Sequence, residues 1–187
     1  MVEPTVYSPI VLSECAFHFG KGERIDQSIR ELLTKCFPHC TEEFKKVRWL
    51  DGQRACFTVV VEQDYKIVSH IAVIDRTMMI GDCHAAVAAV ALVGTDPDYR
   101  NMGLCRATMT AAMTEADRRG FDIGMLLCTE EFVPLYTRLG WVDISEPEVV
   151  CTSDDGKLPA DRKVMYYPIS VKNPMRCLTI DLQGPKF

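Results

Sequence analysis

Apolar residues recur along the chain with two periods, and the switching between them lays out an α/β (α+β) domain. Ile29, Leu32, Leu33 and Phe37 fall on one helical face, which predicts a helix capped by Asp26 and stopped by Pro38. Thr41-Glu42-Glu43-Phe44 sets a hydroxyl before two carboxylates and predicts a short second helix, with Thr41 as its cap. After a turn at Asp51-Gly52, the apolar and β-branched segments 55–62 and 66–74 flank Gln63-Asp64-Tyr65 and read as a hairpin. A turn at Gly81-Asp82 then leads into 84–94, a near-continuous apolar run suited to a central strand covered on both faces. From Leu104 the helical period returns: Cys105, Thr108, Met109, Ala112, Met113 and Ala116 share a face, and Gly120 closes the end. Residues 123–128 read as a buried strand and 130–139 as a helix ended by Gly140. A strand begins at Trp141, and a last long one spans 163–171 beyond an exposed loop at 153–159.

The 187 residues, 48% hydrophobic and 25% charged, suffice for one domain with a sizeable core, so 1–187 reads as a single domain. The longest apolar run, 85–93, is too short to span a bilayer, and no basic segment precedes an apolar one at the N-terminus. The sequence therefore reads as cytoplasmic, with no membrane partner. Nine cysteines are scattered from Cys15 to Cys177 without a CxxC pair and read as reduced, partly buried thiols. Cys36 and Cys40 flank His39, but a structural zinc needs a second ligand pair that does not follow, so no metal is expected. Net charge is −5, from 26 acidic against 21 basic residues, with no basic run to track a phosphate backbone, which argues against nucleic acid. The mild acidic excess suits a cationic acceptor such as an amine.

Residues 93–106 carry the chemistry. A strand that runs into a turn with Gly103 at the mouth of a helix offers backbone N–H groups and the positive end of a dipole to an anion. A side chain at that glycine would hold a phosphate off those donors. Arg100-Asn101-Met102-Gly103-Leu104-Cys105 resembles the Q/R-x-x-G-x-G/A loop of the Gcn5-related N-acetyltransferases (GNATs), with Pro97 at the expected place upstream and Cys105 where Gly or Ala is usual. The resemblance is strongest over about 55–141. It implies a single domain with a mixed, mostly antiparallel sheet, splayed at its central strand, and helices on both faces. It implies acetyl-coenzyme A as acyl donor, its pyrophosphate held by the amides from Met102 through Gly103, Leu104 and Cys105 to Arg106. Val93 and Thr95, on a bulged strand, would bond the pantetheine and the thioester carbonyl. Arg100, Asn101, Thr129 and Phe132 complete the coenzyme-binding set that the resemblance implies. Because sheet backbone groups are normally paired, a bulge is what frees an N–H to stabilise an oxyanion, and Gly94 is the residue that would accommodate it.

The stretch 126–141, with Leu135, Tyr136, Gly140 and Trp141, resembles the last strand and helix of that motif. The resemblance makes Tyr136 the general acid that protonates the departing thiolate; the alternative is a packing aromatic. No general base stands out, since Ala89 and Ala91 occupy strand positions that carry one in some relatives, and Asp82, His84 and Asp96 are left unassigned.

The overall layout is similar to that of aminoglycoside 2'-N-acetyltransferases and of the nodulation N-acyltransferase. The first likeness implies a small amine or amino sugar met by Glu42, Glu43, Asp181 and the carboxylate of Phe187, although Ala89 and Pro185 stand where those enzymes carry acidic residues. The second implies a longer acyl chain, and a third reading is a non-catalytic coenzyme-A-binding regulator. An exposed strand edge near the C-terminus would allow a homodimer.

Overall fold

Three apolar runs cut by two tight turns form the middle of the sheet in the computed structural model, which describes residues 7–14, 21–49, 52–144, 148–150, 162–170 and 179–187. β2 (Phe57–Gln63) turns into β3 (Lys66–Ile80) through Asp64 and Tyr65, whose φ values of 50° and 63° make the mirror-image turn that matches strand twist. Arg24 braces this turn, donating to the Tyr65 carbonyl and pairing with Glu62. β3 runs to Ile80, past the expected end at Ile74, and turns through Gly81 into β4 (Cys83–Thr95). The other strands are β1 (Ile10–Ser13), β5 (Ile123–Thr129), β6 (Val142–Ile144), β7 (Glu148–Val150), β8 (Arg162–Pro168) and β9 (Thr179–Asp181). Among the described residues the sheet order is β1-β2-β3-β4-β5-β8-β6, with β9 on β3 and β7 on β9. β1/β2, β3/β9, β5/β8 and β6/β8 are antiparallel, while β4/β5 and β7/β9 are parallel. The sheet is thus mixed and mostly antiparallel. The expected loop at 153–159, the turn residue Asp51 and the end of the 163–171 strand at Val171 lie outside the described residues.

The chain divides into two compact units, Met1–Ala72 with Leu92–Ala112, and Val73–Ala91 with Met113–Phe187. In the first, α1 (Lys21–Cys36) lays Ile29, Leu32 and Leu33 on Val60 and Ile67, joined by Phe44 of α2 (Thr41–Phe44). Because successive strand residues face opposite ways, Val61 and Val68 point to the other side, where Leu104, the first residue of α3 (Leu104–Arg118), covers them. Two expected caps are corrected. α1 starts at Lys21, so Asp26 lies inside it and pairs with Arg30 at 2.9 Å and with the buried Arg48 at 2.8 Å; the sequence before Asp26 carries Glu23, which suits a first turn, and the helix simply extends through it. α2 is capped by Cys40, because the 3₁₀ turn Pro38–Cys40 feeds straight into it, and the Thr41 hydroxyl donates back to the Pro38 carbonyl at 2.8 Å.

The second unit packs Ile74, Met78, Val87, Ile123, Met125 and Val164 into one core. The expected helix over 130–139 is a 3₁₀ turn, Glu130–Phe132, followed by α4 (Val133–Thr137) with Pro134 in its first turn. Its exit explains the spacing of Tyr136, Gly140 and Trp141. Gly140, φ 92°, donates to the Thr137 carbonyl and Trp141 N–H to that of Tyr136, the double bond that closes a helix on a left-handed glycine. The Tyr136 and Trp141 rings accompany it, 6.4 Å apart. Gly120, φ 82°, ends α3 the same way through Phe121 and Ala116.

Gly124 on β5 is where Trp141 presses closest. A Cβ there would lie 2.6 Å from the Met113 sulfur, 3.1 Å from the Trp141 ring and 3.3 Å from Tyr167 Cβ. Met113 can swing aside, but the fully buried indole has nowhere to go. Gly124→Ala is therefore expected to destabilise the protein by about 1–3 kcal/mol in urea unfolding; an unchanged midpoint at constant slope would show that the core has slack.

Candidate active site

The site is built around an interruption in β4. Pairing with β5 runs from Val87↔Ile123 to Val90↔Leu126 and ends there. Two residues on, Leu92 has φ 51°, a left-handed conformation that costs a non-glycine residue about 1–3 kcal/mol and persists only where its surroundings impose it. They do so here: the Leu92 side chain packs into the α1 core, and its carbonyl accepts from His70 Nδ1 at 2.9 Å. The sequence placed this distortion at Gly94, and the structure corrects that. Gly94 has no positive φ; its missing side chain makes room for the end of α1, since a Cβ would lie 3.2 Å from Cys36 Sγ. Close approach of a neighbouring helix, not backbone freedom, requires the glycine.

His70 is fully buried on β3. The Leu92 carbonyl can only accept, so the ring carries its proton on Nδ1, and Nε2 has no partner among the described residues. Burial depresses its pKa from 6.5 to about 4 against the raising effect of the Leu92 bond, and the charge of Arg48 adds to the depression. The imidazole is neutral at pH 7. Sequence reasoning passed over this residue; the signal was a polar residue among the apolar positions of 67–74.

Beyond the break, Thr95 is tied inward. Its hydroxyl lies 3.3 Å from Ser69 Oγ, itself 3.4 Å from Thr108 Oγ1 on α3. Cys36 Sγ approaches the Thr95 carbonyl at 3.5 Å; burial raises the thiol's pKa, with Arg100 pulling it the other way. Asp96 accepts from Lys35 Nζ at 2.7 Å and from Asp98 N at 3.1 Å, capping the turn Pro97–Tyr99. Its burial disfavours the charge, but the bonds from Lys35 and Asp98 prevail and hold the carboxyl below its usual range. Of the three groups left unassigned as bases, Asp96 is thus occupied, and Asp82 and His84 are exposed at the opposite end of β4.

The loop that follows alternates conformations. Asn101 (φ 62°) and Gly103 (φ 78°) are left-handed, and the first bond of α3 is Ala107 N–H to the Gly103 carbonyl at 3.0 Å. Helix geometry gives the N–H groups of a first turn no i−4 acceptor and aims them out of the positive end of the helix. A Cβ on Gly103 would meet nothing within 4 Å, so that side of the loop is open. Leu104 is buried in the core and can offer only its backbone, Cys105 is half-buried with its thiol pKa raised by burial, and Met102 is exposed.

Val93, Thr95, Arg100, Asn101, Met102, Gly103, Leu104, Cys105 and Arg106 thus all fall in the first unit, and Thr129, Phe132 and Tyr136 in the second. Thr129 ends β5 and donates to Glu131 at 3.1 Å; Phe132 is half-exposed; Tyr136 is buried against Trp141. The four residues assigned to the acceptor are divided likewise. Glu42 already pairs with Lys45 in the first unit, beside Glu43. In the second, Asp181 accepts from Gln183 N at 2.9 Å and Phe187 packs partly buried against the core. Among the described residues no three His, Cys, Asp or Glu side chains converge to hold a metal ion, and no helix is long and apolar enough to cross a membrane.

Comparison with known proteins bears on the family and the fold. The family model for an acetyltransferase (GNAT) domain matches residues 21–143. No match was found among curated proteins. Among solved structures, the chain is similar to the Escherichia coli GNAT family N-acetyltransferase YhbS in complex with CoA, at TM-score 0.62 and 13% identity over 97% of this chain and 93% of that one. It is similar to an acyl-CoA N-acyltransferase from Pseudomonas aeruginosa, at TM-score 0.60 and 16% identity over 87% and 99%. It also matches a protein of Enterococcus faecalis described as a probable N-acyltransferase, at TM-score 0.55 and 15% identity, over 73% of this chain but 32% of that one. The chain therefore spans about a third of that larger protein, and at these identities the likeness is one of fold.

His70 supplies a measurable pH dependence. Its folded pKa lies below its unfolded one, so its contribution to stability is complete above pH 6.5 and is lost as the pH falls from 6.5 toward 4, where only the unfolded chain takes up the proton. The stability advantage of the parent over His70→Asn is expected to shrink by up to about 3 kcal/mol between pH 7 and pH 4, read from urea unfolding at each pH. A gap that stays constant across that range would mean His70 is not held neutral.

Proposed function

The chain belongs to the acetyltransferase (GNAT) family and is an acyltransferase, and from that premise we propose that it moves an acetyl group from acetyl-coenzyme A to the amine of a small molecule or amino sugar. The observation that carries the reading is the loop from Asn101 to Gly103, whose left-handed residues open onto the first-turn N–H groups of α3 with unfilled space over Gly103. That is a cradle for a pyrophosphate, and the residues present fit it. Acetyl-coenzyme A, when bound, supplies an acyl carbon and a thiolate leaving group. The chain's own residues do the rest. First-turn N–H groups hold the pyrophosphate with help from Arg100. The Val93 N–H, just past the Leu92 break, donates to the thioester carbonyl and stabilises the negative charge that collects on that oxygen as the amine attacks. Tyr136 gives its phenolic proton to sulfur as the C–S bond breaks. Asp96 is engaged by Lys35 and His70 by Leu92, so in this reading the amine sheds its proton to solvent.

Ala89 is fully buried in the second core, so the acidic group that aminoglycoside 2'-N-acetyltransferases carry on the central strand has no counterpart here. Glu42 is already neutralised by Lys45. Both observations favour an acceptor with fewer positive charges than a polycationic drug.

Two variants test the reading. Gly103→Val is expected to weaken coenzyme A binding by about 10-fold or more in calorimetry, because a branched side chain would fill the open side of the loop and strain its backbone. A folded variant with the parent's affinity would remove the pyrophosphate from this loop. Tyr136→Phe is expected to lower kcat by roughly 10²–10⁴ at neutral pH with the KM for acetyl-coenzyme A nearly constant, measured by thiol release against a panel of amines. Full kcat would return Tyr136 to packing on Trp141.

A further inference from the structure

The peptide group that joins Leu92 to Val93 is planar and trans, so its C=O and N–H point in opposite directions. Whatever fixes the Leu92 oxygen therefore fixes the aim of the Val93 N–H. In an ordinary strand the ladder does this, but β4 has left its pairing with β5 at Val90, and Leu92 is left-handed. The bond from His70 Nδ1 to the Leu92 oxygen, at 2.9 Å, takes over that role and turns the Val93 N–H away from the imidazole.

We infer that His70 is a positioning residue for acyl transfer, which, by holding the Leu92 oxygen, aims the Val93 N–H at the thioester carbonyl. The inference rests on the coenzyme-dependent reading above. It explains a residue that packing alone does not. His70 is wholly buried on β3, and its Nε2 goes without a partner among the described residues. A leucine or valine there would fill the space without burying an unmatched nitrogen, which is costly in an apolar interior. What neither could do is donate to the Leu92 oxygen. His70 touches no reacting atom; its effect passes through one peptide plane.

The test compares acetyl-coenzyme A with S-ethyl-coenzyme A, the same molecule with a methylene in place of the carbonyl, so it needs no knowledge of the acceptor. Calorimetry on the parent should show acetyl-coenzyme A binding about 5-fold tighter, the worth of one hydrogen bond. In His70→Leu the two should bind within about 2-fold of each other, with the affinity for S-ethyl-coenzyme A kept. His70→Asn, whose amide nitrogen falls near the place of Nδ1, should retain the preference. A merely structural His70 would weaken both ligands together and leave their ratio alone, and that result overturns the inference. So does a parent that binds both ligands equally. A parent that binds neither overturns the coenzyme reading itself and the inference with it. Should His70→Leu not fold, ¹⁵N NMR of the parent imidazole decides: a neutral ring with its proton on Nδ1 supports the inference, and a proton on Nε2 overturns it.

Discussion

Leu92 can stay left-handed inside a strand because three consecutive residues of β3 hold the backbone around it. The Val68 carbonyl accepts from Asp96 N–H at 2.9 Å, Ser69 Oγ meets Thr95 Oγ1, and His70 Nδ1 donates to the Leu92 carbonyl. One bond is thus backbone to backbone, one side chain to side chain, and one side chain to backbone, all three on the stretch beyond the pairing of β4 with β5. Each is worth about 1 kcal/mol, enough together to offset the strain of one non-glycine residue at positive φ. Around them the Leu92 side chain packs in the α1 core and the Lys35–Asp96 pair ties the end of α1 to the turn before the loop. The opening of α3 follows from that path: with Asp96 anchored, Pro97–Tyr99 can make only a short turn before Asn101 and Gly103 deliver the chain to the helix.

The second unit solves a different problem, holding an aromatic row still. Trp141 sits between the rings of Tyr136 and Tyr167, at 6.4 and 5.6 Å, and reaches down to β5 only because Gly124 has no side chain. Its position is fixed by backbone as well as by packing, through the bond to the Tyr136 carbonyl across Gly140. In the proposed reaction the Tyr136 hydroxyl would have to meet the sulfur at about hydrogen-bond distance, and such a mount would serve it, since small errors in geometry are expensive in rate.

Much of this was legible from residue pattern. The hairpin turns, the α3 face, the glycine ends at Gly120 and Gly140 and the open loop at Gly103 follow from local rules, because each depends on what a residue's own backbone can adopt. The site's central feature was not. A left-handed leucine carries no mark in sequence, and the glycine that did carry one, Gly94, serves a contact with Cys36 that exists only once α1 is folded onto the strand. The start of α1 was missed for a related reason: Asp26 is a good cap in isolation, but the residues before it also form helix, and its carboxylate is instead taken up by Arg30 and Arg48. The acceptor residues had least local signal. Glu42 next to Lys45 is what any exposed short helix shows, and nothing in the pattern told which carboxylates remain unengaged.

The two compact units interleave along the chain, the first made of Met1–Ala72 and Leu92–Ala112 and the second of the rest. On the ribosome, the N-terminal segment emerges with its apolar face on Ile29, Leu32, Leu33 and Val60 but without Leu92, which packs there. That core is complete only once Leu92, in the second half of β4, has left the exit tunnel, by which time Val73–Ala91 is already outside and still lacks its partners from Met113–Phe187. Synthesis therefore passes through a stretch of tens of residues in which both cores are incomplete, an interval in which a nascent chain exposes apolar strand edges and is open to chaperones. A fold that divides one strand between two cores, with its break at Leu92, commits its biosynthesis to that delay.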